Sequence, residues 1–126
     1  MAPGLDHLLR TLAPVPPGTR VLCRGEAAEE AARALSQLGF EVHDQEASGG
    51  FGWAAVWLSA PNAETLWSVR SALAPGGWAW VAASGVMPEA LMALAAEAGL
   101  ALAERPLADG GIARGVFRRV DAGVRA

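Results

Sequence analysis

At 126 residues, with 52% hydrophobic and 18% charged residues, the chain is long enough for one core and too apolar for disorder. Its net charge of −3 lacks the basic stripe of a nucleic-acid binder, and the lone Cys23 excludes an internal disulfide and a cysteine-cluster metal site. No apolar run approaches about 18 residues, and the opening residues show no basic-then-apolar signal pattern. The expectation is one cytoplasmic domain over residues 1–126, with neither a membrane nor a nucleic-acid partner.

Leu5, Leu8, Leu9 and Leu12 repeat at i, i+3, i+4 and i+7 and predict a helix over residues 5–12, ended by Pro14, Pro16 and Pro17. Arg20-Val21-Leu22-Cys23 is a short apolar run that reads as a buried strand. Ala28, Ala31, Ala32, Leu35 and Leu38 carry a helix over residues 26–38, with Gly39 placed for a C-terminal cap. Residues 40–43 read as a second strand, 47–52 as a glycine-bearing loop and 53–59 as a strongly apolar third strand.

A helix follows from Pro61-Asn62 to about Leu73, with Asn62 as N-cap and Glu64 favourable in its first turn. Pro75-Gly76-Gly77 predicts a turn before a fourth strand over residues 78–82, and Pro88 opens a helix running to Ala98. The last two strands, residues 100–107 and 112–120, flank Asp109-Gly110, a strong hairpin signal. Pro106 has no ladder donor, which puts the first of these two strands at the sheet edge. Strands alternating with helices predict an α/β three-layer sandwich with a mostly parallel sheet.

Three segments carry a family resemblance. Pro17-Gly18-Thr19-Arg20-Val21-Leu22 resembles the lead-in to the first strand of class I S-adenosylmethionine-dependent methyltransferases. Leu73-Ala74-Pro75-Gly76-Gly77-Trp78 is similar to that family's turn into its fifth strand, and residues 94–100 to its next helix exit. The resemblance implies a Rossmann-like sheet of six strands in the order 2-1-3-4-6-5, with the last strand antiparallel. It also implies S-adenosylmethionine as cofactor, held by Gly25, the backbone of Glu26 and Ala27, and the carboxylate of Glu46 or else Asp44. Methyl transfer would take place near Ser59.

The cofactor loop departs from the family pattern. Ala27 and Glu29 stand at its next two glycine positions, and Cys23 stands where the family carries an acid. Glu26, Glu29 and Glu30 would repel an anion at the start of the second helix. A family helix, edge strand and second helix are also missing between the second and third strands. Seven extended residues, 46–52, reach roughly 23–25 Å, and the return crossing needs about 20 Å. A taut strap is therefore expected here rather than a hairpin turning at Gly49-Gly50.

Two functional readings follow. One is a small S-adenosylmethionine-dependent methyltransferase-like protein whose degenerate loop argues against efficient catalysis, so no catalytic residue is assigned. The other is a non-catalytic interaction module. Trp53, Trp57, Trp78 and Trp80 alternate onto one sheet face, the expected contact for a homodimer or protein partner. Cys23 reads as an inert buried thiol, since nearby glutamates oppose a thiolate. His7 and His43 show no metal-ligand spacing.

Overall fold

The computed structural model describes residues 4–44, 49–59, 62–109 and 111–120. Its elements in chain order are α1 (Leu5–Leu12), β1 (Arg20–Gly25), α2 (Ala28–Gln37), β2 (Glu41–His43), β3 (Phe51–Leu58), α3 (Ala63–Ala72), β4 (Leu73–Ser84), α4 (Pro88–Glu97), β5 (Leu100–Asp109) and β6 (Ile112–Arg119). One sheet holds six strands in the order β2-β1-β3-β4-β6-β5, as the resemblance implied. The first four strands run parallel, and β6 lies antiparallel between β4 and β5.

Alternation along the strands divides the interior into two cores. Val21, Cys23, Ala55, Trp57 and Trp80 pack with Leu8 and Leu12 of α1 and with Ala31 and Leu35 of α2. On the other face Leu22, Val56 and Val81 pack with Leu66 and Val69 of α3 and with Leu91 and Ala95 of α4. The leucine stripe of α1 explains its bounds: Leu8 and Leu12 are fully buried while Asp6 and Arg10 face solvent. No helix among the described residues is long and apolar enough to cross a membrane.

Several boundaries differ from the sequence expectation. The second helix starts at Ala28 instead of Glu26, because Glu26 and Ala27 form a turn after β1. Pro75-Gly76-Gly77 does not separate α3 from a strand but lies inside β4. Leu73 pairs with Phe51 and Trp78 pairs with Trp53, so the extra residues of β4 loop out as a bulge. Gly77 is required there, since a Cβ would come 2.9 Å from the Ala74 carbonyl oxygen and 3.1 Å from that of Phe51.

Leu22 pairs with His43 on one side and with Ala54 on the other, both parallel. The chain therefore crosses β1 between β2 and β3, and the hairpin alternative is excluded. Residues 45–48 of that crossing lie outside the described residues, but its far end is anchored. Arg20 Nη1 donates to the Gly49 carbonyl at 2.7 Å, and its Nε donates to Glu41 Oε2 at 3.2 Å. The same guanidinium lies 4.5 Å from the centre of the Phe51 ring.

Candidate functional site

In open α/β sheets, ligands settle outside the carboxyl ends of the strands, where the strand order reverses. In this chain that point lies between β1 and β3, where Gly25 pairs with Trp57. Gly25 has φ +104°, and a Cβ built on it would sit 2.0 Å from the Trp57 carbonyl oxygen. The glycine is thus demanded by the neighbouring strand's backbone. Its missing side chain leaves room for Trp57, not for a ligand.

Two clefts open on either side of this crossing. The larger, about 620 Å³, is bounded by Gly25, Glu26, Glu29, Val42, His43 and Asp44. The smaller, about 290 Å³, holds Arg24, Gly25, Ser59, Asn62 and Thr65. Between Glu26, Ala27, Trp57, Ala82 and Ile112 only a neck of about 40 Å³ remains. Of the residues expected at the cofactor, Gly25 and Glu26 share the larger cleft, and Ala27 lies at the neck. Ser59 is in the smaller cleft with Gly25. Glu46 lies outside the described residues, whereas Asp44, the other candidate acid, follows directly on β2 and lines the larger cleft.

The chemistry of these groups is limited. Glu26, Glu29 and Asp44 make the larger cleft acidic, which favours cations and hydroxyl groups over phosphates. Beside it, the His43 ring stands 2.7 Å from Glu41 Oε2. That hydrogen bond and the charge of Arg20 hold the Glu41 carboxyl below its usual range. In the smaller cleft the Asn62 side-chain oxygen accepts from the N–H groups of Glu64 at 2.8 Å and Thr65 at 3.3 Å, so it caps α3. Cys23 is buried, and loss of solvent pushes its thiol up to about 12, which leaves it inert. Among the described residues no group of three or more histidine, cysteine or carboxylate side chains could hold a metal ion.

The four tryptophans do share the sheet face under α1 and α2. Trp53 and Trp78 stack with ring centres 5.6 Å apart, and Trp57 tilts against Trp80 at 5.0 Å. Trp57 and Trp80 are buried in the core, so only the half-buried Trp53 and Trp78 remain within a partner's reach. Arg118 lies 4.7 Å over Trp78. Sequence reasoning missed one polar contact on this face. The Trp80 indole donates to His7 Nδ1 at 2.9 Å, across 73 positions of sequence.

No protein-family model matches the chain, and no curated protein does. Its architecture does match solved structures. A TehB-like S-adenosylmethionine-dependent methyltransferase from Corynebacterium glutamicum superposes with a TM-score of 0.58 at 14% identity, over 93% of this chain and 88% of that one. A putative sarcosine dimethylglycine methyltransferase from Galdieria sulphuraria gives 0.61 at 11% identity, over 93% and 84%. The pyocyanin biosynthetic protein PhzM gives 0.64 at 13% identity, over 93% of this chain and 54% of that one. At such identities the likeness establishes the fold. The chain has a class I methyltransferase-like fold, shortened between its second and third strands.

Proposed function

We propose that this chain is a methyltransferase-like protein that binds S-adenosylmethionine or S-adenosylhomocysteine in the larger cleft and transfers methyl groups poorly or not at all. The observation that carries this reading is the cleft of about 620 Å³ at the carboxyl ends of β1 and β2, with Gly25 and Glu26 on one wall and Asp44 on the other. A carboxylate in that place can accept both hydroxyls of a ribose, and the acidic lining suits a ligand bearing a sulfonium and an ammonium group. The same geometry argues against efficient transfer. The Trp57 backbone fills the space beside Gly25, and only about 40 Å³ is open between Trp57, Ala82 and Ile112. Asn62 is committed to its helix cap, and Ser59, Thr65 and Arg24 supply no evident general base.

Calorimetric titration with both ligands tests the reading. Saturable heat, weakened tenfold or more by Asp44→Asn, is expected, with methyl turnover close to the uncatalysed background. No heat at millimolar ligand would sink the binding claim, and turnover approaching a typical enzyme's would sink the poor-transfer claim.

A second reading, an interaction module, is favoured by the stacked and half-buried Trp53 and Trp78. Aromatic residues are enriched at interface cores. The partner proposed is a second copy of the chain. Gel filtration with light scattering would show a dimer that Trp78→Ala weakens, and a strict monomer at high concentration removes this reading.

A further inference from the structure

We propose that the hydrogen bond between His7 and Trp80 is an acid-sensitive clasp that fastens α1 to the sheet. Trp80 is fully buried, and its indole N–H needs an acceptor. His7 Nδ1 supplies it at 2.9 Å, which requires the proton of the neutral imidazole to sit on Nε2. That nitrogen faces Glu104 Oε1 of β5 at 3.3 Å. The N-terminal end of α1 also rests on the indole, since a Cβ at Gly4 would lie 3.0 Å from two of its ring atoms. Ile112, which bounds the neck at the strand ends, lies against Gly4 as well. Clasp, helix end and neck are therefore contiguous.

Protonation of Nδ1 removes the acceptor and turns a donor toward a donor, orphaning the buried indole N–H. The charges around the ring set the direction. Burial, then Arg114 of β6, lower the His7 value from the ordinary 6.5, and Arg10 of α1 adds to this. Glu104 works the other way without reversing the result, and Asp6, the neighbouring carboxylate on α1, is exposed. A folded-state value below the unfolded one means that the unfolded or unclasped form takes up more protons. The clasp is complete above about pH 6.5 and is lost as pH falls through the folded value.

Hydrogen exchange read by NMR tests this on the full chain. Protection factors of the α1 amides, each referred to the free-peptide rate at that pH, should fall severalfold, and by no more than about thirtyfold, between pH 8 and pH 5. Those of β3 should hold. His7→Gln keeps an acceptor without a titrating proton, and its α1 protection should stay level with pH. Should that variant fail to fold, the contrast between α1 and β3 in the natural chain still decides. Unchanged α1 protection, an equal loss in β3, an equal loss in His7→Gln, or a His7 ring titrating at or above 6.5 would each overturn the clasp.

Discussion

Gly25→Ala separates a glycine kept for a ligand from a glycine kept for the fold. An added Cβ would meet the Trp57 carbonyl oxygen at 2.0 Å, its carbon at 2.8 Å and the Trp57 nitrogen at 2.9 Å. All three are backbone atoms of the neighbouring strand, so no side chain can swing aside. Holding a β-carbon at φ +104° costs about 1–3 kcal/mol. Forcing β1 and β3 apart at this overpacked contact adds about 1–3 kcal/mol. The total, about 2–6 kcal/mol, is a large part of a small domain's stability of about 5–15 kcal/mol.

Gly18→Ala is the matched control. Gly18 has φ +88° with nothing within 4 Å of the added carbon, so it carries the backbone cost alone. The entropy that alanine removes from the unfolded chain is common to both variants and cancels. Urea unfolding followed by far-ultraviolet circular dichroism reads the difference as a shift in midpoint at constant slope. Gly25→Ala should be less stable than Gly18→Ala by about 1–3 kcal/mol, or roughly 3–15 °C in Tm. Equal midpoints would refute the close crossing and return Gly25 to the role of a ligand contact.

Asn62→Ala should cost about 0.5–2 kcal/mol in the same assay, because two N–H groups at the start of α3 lose their acceptor. Asn62→Asp should retain most of that stability. Cys23 should resist a thiol reagent at pH 8 in the folded protein and react fully in denaturant. Rapid labelling of the native chain would contradict the buried, neutral thiol.

The sequence carried the outline of this fold because its strongest signals are local. The four-leucine stripe set α1 to its observed bounds, and Pro106 put β5 at the edge, where the sheet order has it. The length of β4 was hidden because Leu73 becomes a strand residue only by pairing with Phe51, far away in sequence. Pro-Gly-Gly between them is indistinguishable in one dimension from an ordinary turn. The site was less legible still. Gly25 matched a family glycine by position, but the reason for it, the Trp57 backbone, depends on which strand lies beside it. His7 offered no motif, since its partners Trp80 and Glu104 meet it only after the sheet has formed.

The shortened crossing raises a physical question that the strand alternation answers. Removing helices from one side of a sheet should expose apolar surface and destabilise it. Along β1, Val21 and Cys23 point to the core beneath α1 and α2, while Leu22 alone reaches the opposite core. Arg20 and Arg24 share Leu22's face by alternation, and so do Glu41 and His43 of β2 by their register. Charged and polar side chains therefore occupy much of the surface that a deleted helix would have covered. Arg20 joins them by pairing with Glu41, reaching Gly49 and shielding the Phe51 ring. The edge at β2 is thus finished as a solvent-facing surface. On the opposite face Trp53 and Trp78 stay half-buried instead of sinking into the core, and that is where the proposed second copy is best sought.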